Sequence, residues 1–235
     1  MTPAETVQLC ARNNALWCDA VLRAAGAKTD FHHGYWRASN EQVPLFPNIV
    51  TLTAEHSSEL SAALSALPSK AAVKDSFNCL DLGASGFEKL FTGTWLFRSP
   101  ETTRKPASPP DWQKAQTSEA LQKWLKAWSK KESLHTLFPA KLLKSPDIDF
   151  VSILRDDAIQ GGAVLNSGPA HAGKDVVGIS NIFHRKSWLY GALHALMEPF
   201  PHRPVCTYET DTELLPVYRQ IGFEDVGTLT VWQKL

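Results

Sequence analysis

VYRQIGFEDVGTLTVW, the stretch from Val217 to Trp232, decides the fold of this chain. A helical segment from Glu213 to Ile221 runs into Gly222, which lets the backbone leave the helix with a positive φ angle. Phe223 follows at once and is placed to fill the core beneath the helix end. Val226 to Trp232 is rich in β-branched residues and predicts a final strand. The stretch therefore predicts a helix, a tight glycine turn and a strand.

The residues before this stretch alternate strands and helices. The predicted strands are Phe150–Leu154, Ile159–Leu165, Val176–Phe183 and Val205–Glu209, and the predicted helix between the last two is Trp188–Met197. The first two strands form a hairpin across Arg155, Asp156 and Asp157. Together with the closing stretch, the order is β, β, β, α, β, α, β.

The sequence pattern also predicts an α/β fold for the N-terminal part of the chain. Its predicted helical segments are Ala4–Ala25, as one helix or a helix pair, a segment from Ser57 to Leu67, and a short Ala84–Phe91. Its predicted strands are Phe31–Ala38, Asn48–Thr53, Val73–Leu82 and Thr94–Arg98. Downstream, Trp112 to Lys131 sets Leu121, Trp124, Leu125 and Trp128 on one helical face.

The two halves share an order of elements. Asn48–Arg98 and Val176–Gln233 have the same predicted order of elements. Each range has a strand, a helix ended by a proline, a second strand, a helix, and a last strand that carries a tryptophan. Between them SPETTRKPASPP, Ser99 to Pro110, has no large apolar residue, and we expect an exposed linker there. We therefore predict an α/β protein of two similar units: a degenerate half at 1–98, a proline-rich linker at 99–110 and a second half at 111–235.

The composition is that of a folded globular protein, with 43% hydrophobic and 20% charged residues. The 24 basic residues equal the 24 acidic ones, which argues against a nucleic-acid partner. The sequence has neither a basic and apolar leader nor a run of about 18 apolar residues, so we expect a cytoplasmic protein without a membrane partner. The cysteines form no CxxC pair and the histidines lack helical ligand spacing, which predicts free thiols and no metal.

The closing stretch resembles the last motif of the GNAT N-acyltransferases, in which a helix ending in Tyr-x-x-x-Gly-Phe leads into the final strand. The upstream elements also follow that family's order. The resemblance implies a mixed sheet flanked by helices, acetyl-CoA as the acyl donor and an amine as the acceptor. It places Tyr218 where the family's tyrosine can protonate the departing thiolate, a task that suits a phenol of pKa about 10. A tyrosine that only packs, with its hydroxyl at the surface, is the alternative.

VVGISNIF, Val176 to Phe183, is similar to the central strand of that family, whose backbone binds the pantetheine arm as an added strand would. Asn181, Ile182 and Phe183 would supply these contacts. The family then has Arg/Gln-x-x-Gly-x-Gly/Ala at a helix start, where backbone amides cradle the pyrophosphate. This chain departs from that pattern with His184, Arg185, Lys186, Ser187 and Trp188. Two cations and a helix N-terminus could hold phosphates by charge, and a solvated basic turn is the alternative.

One carboxylate, Glu209, completes the candidate site, and a second, Asp211, stands at a position that often contacts the coenzyme in the family. Glu209, at the end of VCTYE, is our candidate for the base that takes the proton of the amine, and a surface carboxylate is the alternative. The family often has an Asn seven residues before its Tyr, and Asp211 stands there. Because Asp cannot donate as Asn does, we expect it to cap the following helix. The acceptor would be a small-molecule or peptide amine, and a non-catalytic protein that binds acyl-CoA or a protein partner is the second hypothesis.

Overall fold

The computed structural model of the chain describes residues 1–39, 42–100, 112–167, 176–184, 188–197 and 202–235. Its helices are α1 (Pro3–Ala24), α2 (Ser58–Ser65), α3 (Ser118–Trp128), α4 (Leu189–Met197) and α5 (Leu215–Gln220). Its strands are β1 (Thr29–Phe31), β2 (Tyr35–Ala38), β3 (Ile49–Thr51), β4 (Ala72–Asp75), β5 (Phe87–Arg98), β6 (Trp112–Lys114), β7 (Ile148–Arg155), β8 (Ala158–Asn166), β9 (Val177–His184), β10 (Val205–Glu209) and β11 (Glu224–Lys234). The predicted mixed α/β class is confirmed.

The chain divides into two compact units, and each is made of separate stretches of sequence. Unit 1 comprises Met1–Trp95, Tyr208–Asp211 and Asp225–Leu235, and unit 2 comprises Leu96–Thr207 and Thr212–Glu224. This division departs from the contiguous ranges 1–98 and 111–235, because β11 pairs with β4 and so clusters with the N-terminal residues. Most of the predicted linker lies outside the described residues, and its extended form stays a prediction.

In unit 1 the strands lie in the order β1, β2, β3, β4, β11, β5. β3 and β4 are parallel, and β4 is antiparallel to β11. Helix α1 begins at a capping box between Thr2 and Glu5 and is followed by Gly26, whose φ is 98°, so its predicted extent is confirmed. Helix α2 begins after Ser57, whose side chain accepts from the Leu60 amide as expected of a cap.

Two predicted elements of unit 1 are wrong. The short helix predicted at Ala84–Phe91 is a 3₁₀ turn followed by β5, because Gly86 adopts a φ of 79° and the next residues extend as a strand. The strand predicted at Val73–Leu82 ends at Asp75. The carboxylate of Asp75 accepts hydrogen bonds from the amides of Phe77 and Leu80, at 3.2 and 2.7 Å, and these bonds turn the chain.

In unit 2 the strands lie in the order β10, β9, β8, β7, β6. The predicted hairpin is confirmed, with Asp156 and Asp157 both at positive φ in the turn between β7 and β8. The helix predicted from Trp112 begins later, at Ser118, because Trp112–Lys114 pairs with β7 as β6. Its predicted apolar face is buried through Leu121, Trp124 and Leu125.

Candidate functional site

The C-terminal end of α5 holds Tyr218 in place through backbone hydrogen bonds. The amide of Gly222 donates to the carbonyl oxygen of Arg219 and the amide of Phe223 to that of Tyr218, each at 3.1 Å. Gly222 has a φ of 91°. This pair of bonds around a left-handed glycine is the Schellman motif, which satisfies the last carbonyl groups of a helix. The turn predicted from the sequence is confirmed.

Tyr218 lies in the core of unit 2. It is only 1% exposed, and its ring meets that of Phe223 edge to face, with centroids 5.7 Å apart. Ile182 and Trp188, two residues of the predicted coenzyme site, pack against the same apolar cluster. The structure therefore brings Tyr218, the end of β9 and the start of α4 to one cluster in unit 2.

The pairing of β9 with β10 is short. The two parallel strands share two ladder pairs, Val205 with Val177 and Cys206 with Gly178. β9 then continues to His184 while its register with β10 has ended. One edge of the later part of β9 pairs with β8. An extended ligand would therefore add its hydrogen bonds along the opposite edge, the one that pairs with β10 at the start of β9.

A bulge interrupts β9 in this same region. The register of β8 with β9 shifts between Gly162 and Val164, and Asn181 adopts a φ of 53°. A bulge bends the strand and re-aims the following residues. Asn181, Ile182 and Phe183, which the sequence predicts to contact the pantetheine arm, therefore lie at the bulge and just after it.

Two glycines of β8 position this bulge, and sequence reasoning missed them. A Cβ on Gly161 would lie 2.7 Å from the carbonyl oxygen of Phe183, and a Cβ on Gly162 would lie 2.8 Å from the ring of Phe183 and collide with the Val151 carbonyl oxygen. The signal was available, because a Gly-Gly pair inside a strand marks a close backbone approach.

Helix α4 begins directly after the predicted phosphate-binding turn. The first hydrogen bond of the helix joins the amide of Ala192 to the carbonyl oxygen of Trp188, at 3.0 Å. The first amides of a helix have no partner within it and favour anions. The Trp188 indole lies over Gly191, where a Cβ would be 2.6 Å from its Nε1. Arg185, Lys186 and Ser187 lie outside the described residues, so their role stays a prediction, and His184 is half-buried at the end of β9.

Glu209 ends β10, and Asp211 follows two residues later. Oε1 of Glu209 accepts hydrogen bonds from the backbone amides of Thr210 and Asp211, at 2.7 and 2.9 Å. Glu209 belongs to unit 1, whereas Tyr218 belongs to unit 2. The expected cap by Asp211 is wrong, because α5 starts at Leu215, after Leu214 and next to Pro216, without a side-chain cap.

Comparison with solved structures decides the fold. A GCN5-related N-acetyltransferase from Kribbella flavida superimposes with a TM-score of 0.63 at 14% identity, covering 96% of this chain and 95% of that one. This chain has the GNAT fold. A GCN5-related N-acetyltransferase-like protein from Streptococcus suis matches with a TM-score of 0.51 at 10% identity, covering 88% of each chain. A tandem GNAT protein from the clavulanic acid biosynthesis pathway matches with a TM-score of 0.50 at 13% identity, covering 84% of this chain and 74% of that one. No family model matches the sequence, and neither does any curated protein.

The two units share one arrangement of three elements. In unit 1, β3 and β4 flank α2 and share two parallel ladder pairs, Ile49 with Val73 and Val50 with Lys74. In unit 2, β9 and β10 flank α4 and share two such pairs as well. The predicted match between the halves holds for these three elements and not for the short helix at Ala84–Phe91.

Among the described residues, no group of three or more His, Cys, Asp and Glu side chains is placed to hold a metal ion. None of the described helices is both long enough and apolar enough to cross a membrane.

Proposed function

We propose that this GNAT-fold protein is an acyl-CoA-dependent N-acyltransferase, with acetyl-CoA as donor and a small-molecule or peptide amine as acceptor in the cytoplasm. The observation that carries the proposal is the end of the β9–β10 register after two ladder pairs, followed by the bulge at Asn181. An extended pantetheine arm needs such an edge of backbone amides and carbonyls.

The residues present fit the coenzyme. Its extended arm would hydrogen-bond to the backbone of Asn181, Ile182 and Phe183. Its phosphates would lie at the start of α4, where the first amides of the helix and the charges of Arg185 and Lys186 favour anions. Bound acyl-CoA supplies a thioester that an amine can attack and a thiolate that can leave.

The chain's own groups would move the protons. A backbone amide of β9 would donate to the carbonyl oxygen of the thioester and stabilise the negative charge that develops there. The phenol of Tyr218 would give its proton to the departing sulfur as the C–S bond breaks. Glu209 would accept the proton of the amine, directly or through a water molecule, from a carboxylate already oriented by the Thr210 and Asp211 amides.

A second candidate function is a GNAT-fold protein that binds acyl-CoA or a protein partner without turnover. The burial of Tyr218 in the core of unit 2 favours this alternative, because a tyrosine with a purely structural role packs in the same way. The sequence from His184 to Trp188, which lacks the family's glycines, favours it as well.

Two measurements test these functions in sequence. Calorimetric titration with CoA and acetyl-CoA should show binding at about micromolar Kd, the affinity typical of such sites. A thiol-release assay with acetyl-CoA and a panel of amines should then show amine-dependent turnover. Absence of binding at millimolar CoA would reject the enzyme and the acyl-CoA-binding form of the second function, leaving only a protein that binds a protein partner. Binding of CoA without turnover for any amine would select the acyl-CoA-binding form.

A further inference from the structure

Lys74 occupies an apolar position in the middle of unit 1. Its side chain is 5% exposed on β4, a strand with neighbours on both sides. Its partners in the ladder are Val50 on β3 and Val231 on β11. The adjacent residue, Val73, packs in the cluster under α2, so alternation places Lys74 on the opposite face. A lysine in such surroundings is rare unless another group compensates its charge.

The described partners of Lys74 are neutral. Its Nζ donates to Oδ1 of Asn14 on α1 at 2.8 Å and approaches the Tyr208 hydroxyl at 3.5 Å. It also lies 4.6 Å from the centre of the Tyr208 ring. No carboxylate among the described residues forms an ion pair with it. A buried ammonium without a counter-charge among the described residues is costly in a protein interior.

A nearby thiol does not supply that charge. The Sγ of Cys18 lies 3.9 Å from Oδ1 of Asn14. Burial raises the pKa of Cys18 to about 11, although the charge of Lys74 acts to lower it. The group is therefore a neutral thiol at physiological pH.

The cluster presents hydrogen-bond donors from three elements. Asn14 accepts through Oδ1, and no described residue accepts a hydrogen bond from its Nδ2. The hydroxyl of Tyr208 is approached by Lys74, and no described residue accepts its proton. The ammonium of Lys74 thus contacts an amide and a phenol, and no described carboxylate pairs with it.

We propose that Lys74, Asn14 and Tyr208 form a binding site in unit 1 for a ligand carboxylate. A single ammonium with two neutral donors matches the charge and the acceptor capacity of one carboxylate. A phosphate group, with more charge, would require further cations, and none lies in the cluster. The site is independent of the coenzyme site proposed in unit 2, because it draws on none of those residues.

The rest of unit 1 holds Tyr208 over Lys74. The Tyr208 ring meets Trp95 edge to face at 5.5 Å, and the Trp95 indole is fixed by a 2.8 Å hydrogen bond to the carbonyl oxygen of Ser76. Gly93 leaves room for the ring, because a Cβ there would lie 3.2 Å from Cδ2 of Tyr208. Tyr208 is only half-buried, and in this proposal the ligand would enter the cluster beside its ring.

The test is a titration of the whole protein with acetate and butyrate, using acetamide and butyramide as uncharged isosteres at constant ionic strength. The chemical shift of the Lys74 side chain, labelled with ¹³C, should change saturably with the carboxylates and not with the amides. The carboxylates should also raise the melting temperature of the wild type. This rise should be absent in Lys74→Met and retained in Lys89→Met. Lys89 is the matched control, since it lies against the Trp232 ring in the same unit but at an exposed position.

A second variant keeps the test informative if Lys74→Met fails to fold. Tyr208→Phe keeps the ring and removes the hydroxyl, and should weaken carboxylate binding by about tenfold or more. We also expect Lys74→Met to be at least as stable as the wild type without ligand, because replacing a buried charge by an apolar group of similar size is often stabilising. The proposal is overturned if the wild type shows no saturable carboxylate response, or if the response survives in Lys74→Met or is unchanged in Tyr208→Phe.

Discussion

The ring of Phe183 on β9 lies directly over Gly162 on β8, so closely that a Cβ on the glycine would be 2.8 Å from Cε1 of the ring. The pair sits at the register shift between the two strands. The bulge that shapes the proposed coenzyme site therefore depends on the absence of a side chain on the neighbouring strand.

Gly162→Ala tests this dependence. The methyl group would collide with the Val151 carbonyl oxygen as well as with the Phe183 ring, and overpacking of this kind costs about 1–3 kcal/mol. We expect lower stability in urea denaturation and weaker CoA binding in calorimetry. Gly83→Ala is the control, because a Cβ there would make only an ordinary 3.6 Å contact. Unchanged CoA affinity in Gly162→Ala would contradict the role of the bulge.

Gly222→Ala tests the turn that closes α5. The φ of 91° at Gly222 is strained for a residue with a Cβ, and we expect a loss of about 1 kcal/mol or more in the free energy of unfolding. Gly83→Ala again serves as the control. Equal stability of the Gly222 variant and the wild type would show that the chain can leave the helix in another way.

Tyr218→Phe separates an enzyme from a binding protein. If the phenol is the general acid, turnover in the thiol-release assay should fall by about 10²- to 10⁴-fold, because the transferable proton is removed. CoA affinity should hold, and stability should change by about 1 kcal/mol at most. Tyr190→Phe is the matched control, since Tyr190 is 42% exposed on α4 of the same unit. A variant that turns over at the wild-type rate would reject the catalytic role.

The double change of Arg185 and Lys186 to Ala tests how the coenzyme phosphates are held. If these cations contact the 3′-phosphate, the variant should lose affinity for CoA more than for dephospho-CoA, whereas pyrophosphate contacts would weaken both ligands about equally. Calorimetry with the two ligands measures the difference. The control removes the exposed pair Lys130 and Lys131 instead. An unchanged affinity for both ligands would identify the turn as solvated.

Cys18 should make stability fall at high pH. Burial raises the pKa of its thiol from 9.0 to about 11 in the folded protein. Between these values the unfolded chain loses the proton and the folded chain keeps it, so the free energy of unfolding decreases by up to about 1.4 kcal/mol per pH unit. Urea denaturation at pH 7, 9 and 10 should show a shallower decrease for Cys18→Ala. Cys79, whose pKa is also raised to about 11, is present in both proteins, so its contribution cancels. If the free energy of unfolding fell equally with pH in Cys18→Ala and in the wild type, the raised pKa of Cys18 would be contradicted.

Local signals in the sequence determined much of this protein. The glycine turn after α5, the Asp156–Asp157 hairpin and the Ser57 cap were all predicted, because each depends on hydrogen bonds between residues a few positions apart. The resemblance of Val217–Trp232 to a GNAT motif predicted the fold. The upstream strands and helices supported this prediction, because their order along the chain can be predicted from the sequence.

Only the tertiary structure decided which strands meet. The pairing of β11 with β4 places Val231 beside Lys74, and the bulge at Asn181 forms against Gly162 of another strand. The Lys74 cluster joins Asn14 and Tyr208, which lie far apart in the chain. Such contacts depend on the register between strands and on which face of each strand is covered. The sequence alone does not specify the register or the covered face, because a strand can pair with any partner whose edge and side chains fit.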